Sequence, residues 1–437
     1  MTEVLSIFFQ LFIFLVIFSF PLTPKILNNN FGQKEKFNFI DTHSINIIFF
    51  IYICLIASFL NFDLKLFFKI YFLLSLIFIL FNYKTSVFKF NKDLLKIFLI
   101  FLLINISIFF YIGQNLKLGW DGLHWIEKAF IFFNNENIQK LSEVSVHPHY
   151  PHLGSYLWAL FWKNSFSELE YFGRFFYVYF YVVSIFLIVN SLKLKNKFFE
   201  LSIILFFILI TFDPNLFAGY QEYLIFSSLI FASRYILMIN FENKINYKFI
   251  FLILLTLYTN CWFKDEGLVY FLIFGIIFIL FLNISSGSKV LLTIFTISLF
   301  IVQYFLQKYV IGIFDFPQKI SLSLIFSELV NIKILLTKIS KMLIHSLIAF
   351  VKYPLWIIII ISIIFHFFTI KKIDKKIKYF LICLSLNLLF VFTIFFTFRS
   401  FDFMLKVSLD RMFFQTSGFY IVLILLFYLQ QLKIQPL

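Results

Sequence analysis

The chain has 437 residues, of which 62% are hydrophobic and only 14% are charged, with a formal net charge of +15. Soluble globular domains are about one-quarter charged, so this composition excludes an ordinary soluble protein. The apolar runs are continuous and approach the ~20 residues of a membrane-spanning helix, whereas β-barrel strands are shorter and alternate. Lysines near anionic lipid explain the positive charge, and we expect no nucleic-acid partner. The sequence therefore predicts an all-α polytopic membrane protein.

About 13 apolar runs are predicted to cross the membrane, within a single transmembrane domain over residues 1–437. The predicted spans are 4–20, 45–62, 64–81, 94–112, 173–192, 198–212, 218–238, 249–263, 267–283, 290–306, 354–369, 378–397 and 418–432. Segments 113–172 and 307–353 are expected to be outer loops, and long loops on one face usually carry function. Each contains a short apolar stretch, 153–162 and 339–351, that is expected to form an interfacial or re-entrant helix.

Lysine and arginine are denser in one set of predicted loops than in the other, and residues 371–376 form the strongest basic run. The positive-inside rule then places the N-terminus outside and the C-terminus inside. The expected location is the plasma membrane, which corresponds to the inner membrane of a bacterium. In this orientation both outer loops and the polar clusters described next lie on the extracytoplasmic face.

A carboxylate follows the predicted span 94–112 at the start of the first outer loop. Asp121 lies in the sequence Gly-Trp-Asp-Gly-Leu-His-Trp, before apolar residues at helical spacing. It is interpreted either as a general base for an acceptor hydroxyl or as the N-cap of the next helix, and the spacing leaves both open. Trp120 and Trp125 suit a sugar platform, although tryptophan is also common at membrane interfaces. Lys128 is expected to be a solvated charge.

Three histidines occur within six residues, in the sequence His-Pro-His-Tyr-Pro-His that starts at His147. Their spacing does not place the imidazoles on one helical face, and no His-Glu-x-x-His pattern occurs. A proline-fixed loop that presents His147 and Tyr150 as hydrogen-bonding groups is favoured over a metal site. No cofactor is expected, and a divalent metal is not indicated.

Two further acidic clusters lie at predicted span ends. Glu222 is expected about one turn into its helix, beside Tyr220, where an acid at membrane depth faces a cavity or a partner. Lys264, Asp265 and Glu266 place three charges in one short turn. Lysine suits a phosphate oxygen as a point charge. The alternatives are an interfacial glutamate and a solvated hairpin turn, although turns more often use Asn, Gly and Ser.

An arginine precedes the last predicted span, 418–432. Arg411 follows Asp410 and is expected to lie about two turns before that span, in an outer segment. Arginine makes bidentate contacts to phosphate. The alternative is an interfacial side chain that extends its charge to water.

In chain order, these clusters resemble motifs of the GT-C superfamily of integral-membrane glycosyltransferases. The resemblance is greatest to the bacterial members that are similar to dolichyl-phosphate-mannose mannosyltransferases. The matching elements are Trp120-Asp121 with Trp125 and Lys128-Ala129, His147–Pro151, Gly219–Glu222, Lys264–Gly267 and Asp410-Arg411. The order of all five agrees. The chain departs from the pattern at His149, where an acidic residue is common, and it lacks a contiguous acidic pair in the outer loop.

The resemblance implies a GT-C-like fold and a transferase of the cell envelope. Such an enzyme moves a sugar from a polyprenyl-phosphate-linked donor to a hydroxyl of a glycan, lipid or protein acceptor on the extracytoplasmic face. Asp121 would be the catalytic base. Lys264 and Arg411 would neutralise the departing phosphate. Glu222 and Glu266 would orient the substrate. The other substrate-binding residues that it implies are Trp120, Trp125, His147, Tyr150 and Tyr220.

Two other classes of function stay open. A transporter or flippase of lipid-linked saccharides needs charged residues along the middle of its spans, and the predicted spans are nearly free of charge. An enzyme of the O-antigen polymerase or ligase type usually depends on outer-loop arginines, and residues 307–353 contain none.

Overall fold

The computed structural model of the chain is all-helical, and no strand occurs among the residues that it describes. The structure describes residues 2–31, 37–82, 92–112, 118–167, 169–194, 196–242, 246–313, 330–369, 373–397 and 400–434. Residues 371 and 372 of the basic run, and residues 314–329 of the predicted second outer loop, lie outside these ranges. The prediction of an all-α chain is confirmed.

The described residues form seventeen α-helices, which are numbered in chain order. They are α1 (Thr2–Ile17), α2 (Pro24–Phe31), α3 (Phe39–Phe59), α4 (Leu64–Phe81), α5 (Lys92–Ile112), α6 (Trp120–Phe133), α7 (Leu153–Lys163), α8 (Tyr171–Asn190), α9 (Lys197–Thr211), α10 (Glu222–Leu237), α11 (Tyr247–Phe263), α12 (Glu266–Phe281), α13 (Ser286–Phe305), α14 (Ile332–Lys352), α15 (Leu355–Thr369), α16 (Lys375–Phe395) and α17 (Phe401–Ile434). Shorter helical turns lie at Ile138–Glu143, Pro214–Phe217 and Leu306–Ile311.

Within the described ranges, seven helices are long and apolar enough to cross a membrane, judged by length and composition. They are α3, α4, α8, α13 with its extension to Ile311, α14, α16 and α17 as far as Tyr428. A helix also lies at each of the thirteen predicted span positions, and several of these helices are shorter. The chain is therefore a membrane protein, while the number of thirteen crossings stays a prediction.

Two helices extend beyond the predicted elements. In the segment predicted as the second outer loop, α14 is a single 21-residue helix of membrane-crossing length, instead of a short stretch at 339–351. α17 is one 34-residue helix. Arg411 therefore lies within the same continuous helix as the predicted span 418–432, instead of in a separate segment before it. The physical reason is that residues 401–417 contain neither proline nor glycine, so nothing interrupts the helix.

The helix predicted at 153–162 is present, and it is buried among other helices. α7 packs between α6 and α8, and Leu153 to Trp162 are all buried. The sequence of α7 is apolar on every side, which is typical of a helix that is enclosed by others. The first predicted outer loop therefore contributes a helix to the core.

Helix α10 lies at the centre of the bundle and carries a charge at each end. All of its residues are buried, and it packs mainly against α17, α8 and α11. Glu222 begins the helix and Arg234 lies in its last turn. Arg234 donates to both carboxylate oxygens of Asp41 on α3, with Nε–Oδ1 and Nη2–Oδ2 distances of 3.0 and 3.3 Å. Since a buried charge is stable only when paired, this contact fixes α3 against α10.

The Asp41–Arg234 pair provides a test of the packing. Arg234→Ala leaves Asp41 buried without its cation, and removal of one partner from a buried pair typically costs about 3–5 kcal/mol. We expect a loss of that order in the free energy of unfolding, measured by denaturant titration in detergent micelles. As a control, Lys140→Ala breaks the exposed pair with Glu143 and is expected to change stability little. An Arg234→Ala protein as stable as the wild type would contradict this role.

Candidate functional site

A network of charged side chains joins four parts of the bundle. Arg411 of α17 donates through Nη1 to Asp121 Oδ2 of α6 and lies 3.4 Å from Glu222 Oε1 of α10. Lys264, which follows α11, donates to the same Glu222 oxygen at 2.9 Å and lies 3.4 Å from Glu266 Oε1 of α12. Three carboxylates thus share two cations, and residues far apart in the sequence meet at one place.

The helix starts determine where two of these carboxylates lie. Gly119 is the N-cap of α6, so Asp121 lies in the first turn, and its side chain faces Arg411. The N-cap interpretation of Asp121 is therefore wrong, although a negative charge in a first turn still suits the helix dipole. Glu222 is the first residue of α10 instead of lying a turn into it. Both acids project from helix N-termini toward the cations.

Burial divides the network into an inner part and an outer part. Glu222 and Lys264 are buried. The side chains of Asp121 and Arg411 are 24% and 16% exposed, so this pair forms the open edge of the network. Charges in the inner part must be paired because an isolated buried ion is very costly. The outer pair remains within reach of a bound molecule.

Opposing influences set the protonation of the network. Burial raises the pKa of Asp121, but the nearby charges of Arg411 and Lys264 outweigh it, and the pKa lies below its ordinary value. Burial lowers the pKa of Lys264, but Glu222 and Glu266 outweigh it, and the pKa lies above its ordinary value. Both groups therefore carry their charge at neutral pH.

Two buried acceptor atoms of the network have no hydrogen-bond partner among the described residues. They are Glu222 Oε2 and Glu266 Oε2. A buried acceptor without a donor typically costs about 1–3 kcal/mol, so such atoms need an explanation. Hydroxyl groups of a bound molecule would satisfy them.

Glycine at two positions allows α6 to lie very close to the turn before α10. A Cβ atom on Gly122 would lie 2.2 Å from the Ala218 carbonyl oxygen, so no larger residue fits without movement of the backbone. Gly219 has φ +91°, a conformation that favours glycine, and a Cβ there would lie 2.9 Å from the Gly122 Cα. These glycines allow Asp121 and Glu222 to reach the same arginine.

Aromatic rings form one wall beside the network. Tyr150 stacks between Trp125 and His147, with ring centroids 5.5 and 4.7 Å away. Trp125 is buried, so it supports the wall and does not offer an open platform. Trp120, by contrast, is 72% exposed. The Arg411 guanidinium lies 5.5 Å from the centroid of the Tyr220 ring, which borders the open edge.

Lys128 holds this aromatic wall against α6. Its ammonium group donates to the carbonyl oxygens of Pro148 and Tyr150 at 3.1 and 2.5 Å. The side chain is buried, and burial lowers its pKa to about 7. The expectation of a solvated charge is therefore wrong. The local sequence around Lys128 does not indicate this burial, because the carbonyl groups that Lys128 contacts belong to a loop about twenty residues away.

The histidine-rich loop also meets the charged turn between α11 and α12. His149 Nε2 lies 3.6 Å from Asp265 Oδ2. Burial, together with His147 and Lys128, lowers the pKa of His149 to about 3, so the ring is neutral at physiological pH. His152 is buried and bonds Ser58 Oγ at 2.8 Å. Within the described ranges, no group of three or more His, Cys, Asp and Glu is placed to hold a metal ion.

The side chain of Asp410 contacts a different part of the molecule from that of its neighbour Arg411. Its Oδ2 accepts from Lys352 Nζ at 2.6 Å, so it joins α17 to the end of α14. The Tyr353 hydroxyl in turn donates to Asp213 Oδ2 at 3.1 Å. No local sequence pattern indicates these pairs, because each joins residues from separate segments. Of the late Asp-Arg motif, only the arginine enters the charged network.

No protein-family model, no curated protein and no solved structure matches the chain. What the site does must therefore be argued from its own geometry, since a fold alone does not establish a function.

The Asp121–Arg411 pair is expected to persist to acidic pH. An unfolded carboxyl has a pKa of about 3.9, and the folded-state pKa of Asp121 is lower. The contribution of the pair to stability is therefore fully present above the unfolded-state value and is lost as pH falls through the folded-state value. The difference in melting temperature between wild type and Asp121→Asn should stay constant from about pH 8 to 5 and shrink below about pH 4.

Thermal melts in detergent across this pH series provide the measurement. Glu136→Gln, which changes an exposed acid next to α6, serves as the control and is expected to show no comparable difference. A difference that already disappears between about pH 7 and 5 would contradict a depressed Asp121 pKa.

Proposed function

We propose that the chain is a membrane glycosyltransferase of the GT-C type. It would transfer a sugar from a polyprenyl-phosphate-linked donor to a hydroxyl of a lipid, glycan or protein acceptor. The observation that carries the proposal is the network itself, in which an ionised, partly exposed carboxylate lies beside two cations. A base and a phosphate-binding pair are the groups that such a transfer requires.

In the proposed reaction, Asp121 takes the proton of the acceptor hydroxyl. The acceptor oxygen forms a bond to the anomeric carbon as the bond from that carbon to the phosphate oxygen breaks. The phosphate leaves with the bonding electrons, and Arg411 and Lys264 balance its added charge. Electrostatic stabilisation of this kind is usually the largest contribution to catalysis.

Donor binding would also activate the base. Arg411 contacts Asp121 before the donor arrives, and this contact keeps the Asp121 carboxylate a weak base. A donor phosphate competes for the same guanidinium, since arginine binds phosphate in a bidentate manner. As Arg411 turns to the phosphate, Asp121 loses its cation and its pKa rises. The proton is then accepted only when the donor is in place.

The surrounding groups suit a sugar attached to a lipid. The unpaired oxygens of Glu222 and Glu266 would accept hydrogen bonds from sugar hydroxyls. Tyr220, beside Arg411, would border the sugar. The exposed apolar helix surfaces would hold the polyprenyl chain. We further propose thirteen crossings of a bacterial inner membrane, with the N-terminus outside, the C-terminus inside and the site on the extracytoplasmic face.

A transporter or flippase is supported less well. Glu222 and Arg234 lie at opposite ends of α10, about 18 Å apart at 1.5 Å per residue. Between them this helix carries only apolar and serine side chains. The charge at the far end is already satisfied by Asp41. A continuous charged path through the bundle does not run along this helix.

Asp121→Asn tests the assignment of the base. With radiolabelled polyprenyl-phosphate sugar in proteoliposomes, the initial rate of transfer should fall by about 10²–10⁴, the usual contribution of a general base. Glu127→Gln is the matched control, because Glu127 lies on the same helix but its carboxylate binds Ser145. Near-normal turnover by Asp121→Asn would remove Asp121 as the base.

Arg411→Lys tests the phosphate contact. Lysine keeps the charge but loses the planar donor pair, so transfer is expected to fall by about 10²–10³. The same assay measures this change, with Lys406→Gln on an exposed position of the same helix as the control. Equal rates for Arg411→Lys and the wild type would show that no bidentate contact is needed.

A further inference from the structure

An open cavity lies between the first half of α14 and the start of α17. Its volume is about 510 Å³. Three lysines, Lys333, Lys338 and Lys341, line it, against one carboxylate, Asp402. The lining therefore has an excess of positive charge, which attracts an anion.

Two lysines of this cavity, Lys338 and Lys341, have side-chain contacts without being buried. Lys341 donates to both oxygens of Asp402, at 2.8 and 3.0 Å. The two side chains of this pair are 45% and 65% exposed, and exposed pairs contribute little, so Lys341 can exchange its partner for another anion. The ammonium group of Lys338 lies 4.7 Å from the centroid of the Phe401 ring.

The position of the cavity favours a lipid over a soluble anion. Both flanking helices are long and apolar enough to cross a membrane, and the cavity lies at the N-terminal end of α17 and along the first half of α14. Phe403, which lines it, is 64% exposed, and Leu336 and Leu343 of α14 are also exposed. Cations at span ends beside apolar surface match the boundary between lipid headgroups and acyl chains.

We infer that this cavity binds the phosphate headgroup of an anionic membrane phospholipid, whose acyl chains lie along the apolar surface of α14. The site is separate from the charged network, because Arg411 lies ten residues beyond Phe401 on α17, about 15 Å at 1.5 Å per residue. The inference does not depend on the proposed transferase activity. The N-terminal end of α17, which carries the positive end of the helix dipole, adds to the attraction for a phosphate.

Native mass spectrometry of the full chain in detergent micelles tests this site. Titration with phosphatidylglycerol should show one tightly retained lipid, whereas phosphatidylcholine should be retained much less. The double variant Lys333→Gln/Lys338→Gln should weaken phosphatidylglycerol binding about thirtyfold, since each of the two lysines near the headgroups contributes about 1 kcal/mol. The matched control is Lys375→Gln/Lys378→Gln, which removes two exposed lysines at the start of α16 and should leave binding unchanged.

A second variant changes the charge in the opposite direction. Asp402→Asn removes the only carboxylate among the described residues of the lining and releases Lys341, so it should tighten phosphatidylglycerol binding severalfold. It also provides a test if the double lysine variant does not fold. Equal weakening by the Lys375/Lys378 control, equal retention of phosphatidylcholine, or no gain with Asp402→Asn would overturn the inference. Displacement of phosphatidylglycerol by millimolar inorganic phosphate would overturn the choice of a lipid.

Discussion

The contact of the Arg411 guanidinium with the carboxylates of Asp121 and Glu222 determines how α6, α10 and α17 pack together. Arg411 lies on α17, Asp121 on α6 and Glu222 on α10. Lys264, which follows α11, donates to Glu222 as well. In surroundings of low dielectric, none of these charges is stable alone, so each requires the others. The packing of α6, α10 and α17 and the composition of the site are therefore set by the same requirement.

The two buried charge clusters of α10 differ in how completely they are satisfied. At one end, both oxygens of Asp41 accept hydrogen bonds from Arg234, and Asp41 also completes the capping box of α3 with Asn38. At the other end, Glu222 keeps one buried oxygen without a partner in the described part of the chain. A fully paired cluster holds helices together, whereas an incompletely paired one is suited to a ligand. This difference separates a structural cluster from the candidate site.

The sequence predicted the helical class and the positions of the helices well, because apolar runs of this length have few alternatives in a membrane. It was less reliable where charge interrupts such a run. Asp410 and Arg411 lower the local hydropathy, so the start of α17 was placed too late. The charged residues at span ends were recognised individually, including Glu222 and Lys264, which the structure places in contact.

Long-range partners were beyond what one sequence can supply. The burial of Lys128 depends on carbonyl groups of a distant loop, and the Asp41–Arg234 pair joins helices far apart along the chain. Neither contact is marked by a local sequence pattern, since the partners of a buried charge are brought together by the packing of whole helices. The GT-C type and the thirteen crossings remain predictions.

The most direct test is a structure of the chain in lipid nanodiscs with a non-hydrolysable polyprenyl-phosphonate sugar bound. The account predicts that the phosphonate lies between Arg411 and Lys264, with Arg411 turned away from Asp121 and sugar hydroxyls against Glu222 and Glu266. A ligand bound elsewhere, with Arg411 still in contact with Asp121, would contradict it.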